Sequence, residues 1–188
     1  MKTKIPQQVK SPYVFGFVIP QNSITWLKHS MHKLKTNVLR LLDTAGISYE
    51  VREYDVDESD LSGVHAAKLV GLPPEQVFKT LVLKGASGSH FVCCIPSGDE
   101  LNLKKAARAC GEKSLDLIAV KELLPLTGYV RGGCSPIGMQ KLFPTYIDET
   151  AELFDTIAVS AGARGIQVIL APKDLAGYIG AKLVDLTM

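Results

Sequence analysis

From Thr36 onward, apolar and polar residues recur with periods that name their elements. Val38, Leu41, Leu42 and Ala45 follow one another at helical spacing after Thr36, whose hydroxyl can cap a helix start, and Gly46 stops the run. Ser48–Tyr54 alternates as a strand. Ala66–Val70 reads as a short helix ended by Gly71 and the Pro73-Pro74 pair. Lys79–Leu83 and His90–Pro96 flank Gly85, Ser87 and Gly88, which predicts a hairpin. Leu103–Cys110 is a basic amphipathic helix closed by Gly111, and Val120–Leu126 is a further helix. Then come strand Thr145–Ile147, helix Glu149–Phe154, and strands Thr156–Val159 and Ile166–Ala171. A helix starts at Pro172 and runs through Ile179 to Gly180, and Lys182–Leu186 is a last short strand.

Strands interspersed with helices predict an α/β or α+β domain built on one mixed sheet. Residues 1–30 show no sustained period. The expected division is an N-terminal extension over 1–30 and a domain over 31–188. Either Met31 is the natural initiator, or the first segment is an arm that packs on the body through Phe15, Phe17 and Trp26.

Composition narrows the classes. Of 188 residues, 46% are hydrophobic and 21% charged, as in an ordinary globular protein. The net charge is +2, so there is no global nucleic-acid footprint, although a local patch remains open. No apolar run reaches the ~18 residues of a membrane span. Tyr13–Pro20 is apolar but short and lacks a small-residue cleavage site, so the expected location is cytoplasmic. Cys93, Cys94, Cys110 and Cys134 form no CxxC pair, and adjacent Cys93 and Cys94 point to opposite faces of a strand. His29, His32, His65 and His90 carry no metal spacing. Neither a metal nor another cofactor is expected.

Candidate chemistry gathers in three places. Val77-Phe78-Lys79-Thr80-Leu81-Val82-Leu83 places one lysine at the opening of an apolar, β-prone run. Such a lysine is either a solvated edge charge or a point charge at reduced dielectric, able to pull on a phosphate or carbonyl oxygen. Thr127 through Gly138 holds four glycines, which allow close backbone approach and converging N–H groups. The alternative is a cluster of structural turns. Cys134 lies in this loop with no histidine near it in sequence, so nothing there assists a nucleophilic thiol. Ser160-Ala161-Gly162-Ala163-Arg164-Gly165 is a second glycine turn between strands. There Ser160 either caps the turn or meets a ligand, and Arg164 either takes a phosphate or holds the loop through backbone carbonyls. Tyr54 ends its strand as an edge aromatic or a ligand contact. Lys104-Lys105-Ala106-Ala107-Arg108 is a solvated helix face or a track for an RNA backbone.

Taken together, Val77 to Leu81, Leu103-Lys104-Lys105, Thr127-Gly128-Tyr129 through Gly138, Pro144 to Asp148 and Ser160 to Gly165 occur in the order seen in the YbaK/ProX family. The chain resembles the YbaK branch, the Cys-tRNA(Pro) deacylases, from about Lys35 to Leu186. The resemblance implies a domain of the prolyl-tRNA-synthetase editing type, with a central mixed, partly barrel-like sheet surrounded by helices. It also implies a free-standing trans-editing enzyme that releases cysteine from mischarged tRNA(Pro), in transient complex with prolyl-tRNA synthetase. The need is physical: a pocket built for proline cannot fully exclude a similar or smaller side chain. Sister activities are alanyl-tRNA(Pro) deacylation and non-catalytic binding of the synthetase or tRNA.

On the same resemblance Lys79 is the essential group, with Gly132 and Gly133 among the backbone donors of Gly132–Ser135 for a developing oxyanion. Tyr54, Thr80, Cys134, Ser135, Ser160, Gly162, Arg164 and Gln167 belong to the substrate pocket. The family has no enzyme nucleophile, and the substrate's own thiol attacks its ester. Two departures bear on specificity. Leu61-Ser62 stands where the branch often has a phenylalanine, and Gln167 stands where it often has an aspartate.

Overall fold

The computed structural model describes residues 35–188. The expectations for residues 1–30 lie outside the described residues. Helix α1 (Asn37–Ala45) begins where the Thr36 hydroxyl accepts the Leu39 N–H at 3.3 Å and ends at Gly46 in the left-handed region. Its buried face is Val38, Leu39 and Leu42. Ala45 is exposed, because the helix docks through its first two turns. Strand β1 (Glu50–Glu53) follows, then α2 (Gly63–Val70), capped by Ser62. Strands β2 (Phe78–Gly85) and β3 (His90–Pro96) form the expected hairpin. Next come α3 (Leu103–Cys110), β4 (Leu115–Leu117), α4 (Val120–Thr127), β5 (Thr145–Asp148), β6 (Ile157–Ser160), β7 (Ile166–Leu170), α5 (Pro172–Ile179) and β8 (Lys182–Val184). Glu149–Leu153 is a tight 3-10 turn in place of the expected helix. The pattern misses β4, because only Leu115 of its three residues is buried.

The strands form two sheets where one was expected. Strands β1, β7 and β6 make an antiparallel sheet in the order β1-β7-β6. The second, mixed sheet runs β4-β2-β3-β5-β8, with β3-β5 and β5-β8 parallel. A single bridge pair, Val77 with Ala158, joins the two, and no closed barrel forms among the described residues. The chain turns at Pro74–Gln76 just before Val77, so the residue leading into β2 gives β6 its one bridge partner.

Strand β3 is buried on both faces. Val92 and Cys94 enter the main core with α1, α5 and the inner face of the three-stranded sheet. Phe91, Cys93 and Ile95 enter a second core under α3, with Ala106, Ala107 and Leu186. Cys93 and Cys94 thus lie on opposite faces, as the period of two requires. A third cluster, Ala67, Val70, Val77, Ala158 and Ile169, pins α2 to the outer face of the three-stranded sheet. Val70 alone contributes about 1.5–3 kcal/mol there. That docking builds one side of a cleft.

Candidate functional site

The cleft has a volume of about 360 Å³ and opens beside α2, at the start of β2. Strand register sets its floor. Gln167 pairs with Ser160 on one side and Arg52 on the other, so all three share the outer face of the three-stranded sheet. Ala158 and Ile169 continue that face beneath α2. Tyr54 follows β1 into the lining.

Lys79 lies on the wall given by β2. Phe78 before it is buried, and Ile95 is its partner on β3. The ammonium donates to the Ser97 carbonyl at 3.2 Å and to the Asp99 carbonyl at 2.5 Å. An ammonium has three N–H donors, so one is left for a ligand. Burial holds the Lys79 pKa below its ordinary value, opposed by the negative charges of Asp99 and Glu100. Thr80 follows on the opposite face, its hydroxyl 3.8 Å from Cys94 Sγ. Gly63 lets the first turn of α2 close over this wall: a Cβ there would meet Ser97 Cβ at 2.7 Å and Lys79 Cβ at 3.8 Å.

The two glycine loops pack backbone to backbone. A Cβ on Gly133 would lie 3.1 Å from both Ala163 C and Arg164 N. The Gly133 N–H donates to the Val130 carbonyl at 3.0 Å, which closes a turn and leaves that amide unavailable to an oxyanion. Gly132 lines the cleft, and its N–H has no partner among the described residues. Ser135 is fully buried, and its hydroxyl accepts the Ile137 N–H. Gly162 donates to Ser160 Oγ, and a Cβ there would meet Tyr129 and Val38 at 3.0 Å. Of the residues assigned to the site from sequence, Lys79, Gly132, Tyr54, Thr80, Cys134, Ser160, Arg164 and Gln167 line the cleft. Gly133, Ser135 and Gly162 lie behind it and shape the loops.

Burial pushes the Cys134 thiol up to about 12, so it is a neutral SH group at neutral pH and a poor nucleophile. Arg164 holds the loops together, with Nε donating to the Arg131 carbonyl at 2.9 Å. Its Nη1 meets both carboxylate oxygens of Glu58, at 2.9 and 2.6 Å. Lys105 of the basic helix is also engaged, on Asp185 and the Thr187 carbonyl.

Sequence reasoning missed the arm between Tyr54 and α2. Asp57, Asp60 and His65 line the cleft with Leu61 and Ser62, the pair already marked as a departure. A signal existed. Asp55, Asp57, Glu58 and Asp60 crowd the stretch just before the Ser62 cap, and that cap sets the start of the helix carrying His65.

Residues 61–178 match the family described as the aminoacyl-tRNA editing domain. An Enterococcus faecalis protein, provisionally named Cys-tRNA(Pro)/Cys-tRNA(Cys) deacylase EbsC, is 40% identical over 153 residues. The match covers 81% of this chain and 93% of that one. A solved structure described provisionally as a trans-editing enzyme for prolyl-tRNA synthetase aligns with a TM-score of 0.70 at 28% identity, over 82% of this chain and 99% of its own. A hypothetical protein of known structure shares the fold, with a TM-score of 0.73 at 20% identity over 80% of this chain and 99% of that one.

Proposed function

This chain belongs to the aminoacyl-tRNA editing domain family, and on that premise we propose that it is a trans-editing deacylase that releases cysteine from mischarged Cys-tRNA(Pro). The observation that carries the reading is Lys79, held in the cleft with one N–H unspent. That N–H and the Gly132 amide polarise the ester carbonyl and stabilise negative charge as it develops on the oxygen. Tyr54, Thr80, Ser160 and Gln167 contact the aminoacyl end. Arg164 sets the loop that bears Gly132.

Cys134 does not supply the attacking group, because its thiol stays protonated. The cysteinyl sulfur of the substrate attacks its own ester carbon. A C–S bond forms, the C–O bond to the terminal ribose breaks, and the thiol proton ends on the departing ribose oxygen. Water then opens the thiolactone. With a net charge of only +2, intrinsic affinity for tRNA is modest, so a transient complex with prolyl-tRNA synthetase selects the tRNA. The reaction takes place in the cytoplasm, where tRNA is charged, and four free thiols suit that reducing compartment.

The test is deacylation of Cys-tRNA(Pro), Ala-tRNA(Pro) and each cognate aminoacyl-tRNA by wild type and Lys79→Ala, with and without the synthetase. Lysine-dependent loss of the cysteinyl ester supports the reading. Loss of the alanyl ester alone moves the protein to the sister specificity. No cleavage of any ester makes it a binding module.

A further inference from the structure

A separate groove of about 440 Å³ lies between α4 and the turn end of the β2–β3 hairpin, lined by Lys84, His90, Lys121, Glu122, Pro125 and Leu126. Lys84 and His90 are register partners, so their side chains leave the same face of the sheet side by side. Lys121 comes from the first turn of α4. Both lysines are exposed, and neither has a hydrogen-bond or ion-pair partner among the described residues. The one acid in the lining, Glu122, turns back to accept the Ala119 N–H at 2.9 Å. Asp116 on β4 faces Lys84 in register but forms no ion pair with it. His90 is half-buried, its ring tilted against Phe143 at a centroid distance of 5.8 Å. The groove thus presents two unpaired ammonium groups over an apolar base of Pro125 and Leu126, and such point charges suit phosphate oxygens.

Two elements set its place relative to the cleft. Thr80 in the cleft and Lys84 in the groove share one face of β2, and four residues of strand put them about 13 Å apart. Val82 between them is buried in the main core, so the two hollows are distinct. Helix α4 starts beside the groove and ends at Gly128, three residues before Arg131 in the cleft lining. Arg131 is exposed, and its guanidinium is unpaired among the described residues.

We propose that Lys84 and Lys121 form a second, non-catalytic site that holds the phosphate backbone of the substrate tRNA upstream of its aminoacylated end. The inference rests on the deacylase reading and deepens it. An ester seated at Lys79 obliges the RNA to leave the cleft over the neighbouring surface. Each nucleotide brings one more negative phosphate, and a few nucleotides cover the distance to the groove. No Arg, Asn or Gln in the lining offers a bidentate contact to a base edge, so the site reads backbone charge and not sequence. It supplies local attraction that the net charge of +2 conceals.

The experiment uses two cysteinyl esters, one on full-length tRNA(Pro) and one on the dinucleotide CA, which enters the cleft and is too short to reach the groove. Wild type and Lys84→Gln/Lys121→Gln are compared on both over a range of salt concentrations. The double variant should raise KM for the tRNA ester about tenfold with kcat unchanged, and leave the dinucleotide ester untouched. The slope of log kcat/KM against log salt on the tRNA ester should become shallower by about one to two, as expected for two lost phosphate contacts. Lys84→Arg/Lys121→Arg should keep the wild-type slope. Equal changes on both esters, or none on either, overturn the groove site alone. So does a KM effect that appears only when the synthetase is present, since the groove then receives that protein and not RNA. Wild type that cleaves neither ester, with Lys79→Ala no different, overturns the deacylase reading along with it.

Discussion

The two walls of the cleft are built differently. On the sheet wall, Lys79 follows Val77 and Phe78, each 2% exposed, and β2 pairs with β3 along its length. On the arm wall, residues 55–60 are all exposed, and side-chain bonds to Ser59, Ser62 and Arg164 give them their shape. A group placed by buried neighbours moves only at the cost of core packing. A group placed by exposed polar contacts moves for a fraction of that cost. The sheet wall thus suits a reaction centre, which needs a fixed charge. The arm wall suits discrimination and the passage of a bulky RNA end.

Substitutions on the sheet wall should therefore abolish chemistry, while those on the arm should tune it. The largest effect is expected from Lys79→Ala, which removes the cation and should lower single-turnover deacylation by about a hundredfold or more. Because Lys79 is only half-buried, the variant should stay folded by circular dichroism. A variant with wild-type turnover would move the reaction centre elsewhere. Gly63→Ala comes next. Its Cβ would lie 2.7 Å from Ser97 Cβ, so α2 must shift away from the turn that follows β3. A loss of about 1–3 kcal/mol in denaturant unfolding is expected, as for overpacked sites. Unchanged stability would show that the close approach matters little.

The pH dependence of Lys79 sharpens the contrast. Its pKa in the folded state lies below the ordinary 10.5, so the ammonium is lost earlier than in an exposed lysine. Enzyme-dependent cleavage, after subtraction of spontaneous hydrolysis, should fall as pH rises through that lowered pKa. Stability should move the other way. In that window the unfolded chain binds more protons than the folded one, so the contribution of Lys79 to stability rises with pH. An alkaline limb unchanged in Lys79→Arg would break this assignment. The smallest effect belongs to Glu58→Gln. The exposed Arg164–Glu58 pair should be worth less than about 1 kcal/mol. Releasing the arm should still change KM for the aminoacyl-tRNA, with kcat nearly constant. A collapse in kcat would mean that the arm is part of the reaction centre.

Local physics was legible in the chain. A cap, a stop and a period act within a few residues, so α1 between Thr36 and Gly46, α3 over Leu103–Cys110 and α5 from Pro172 to Gly180 could be read directly. The opposed burial of Cys93 and Cys94 and the position of Lys79 at a strand opening followed from the same short-range rules. The tertiary structure alone decided what depends on distant partners. The strands divide into two sheets because Val77 finds one residue of β6 and no more. Gly133 loses its amide to Val130, and its glycine character serves the contact with Ala163 and Arg164. Asp57, Asp60 and His65 meet the buried Gln167 in one cleft, although each looks like an ordinary surface or core residue in its own segment. Sequence patterns report burial and turning along the chain. Convergence is set by packing between segments, which no short-range period encodes.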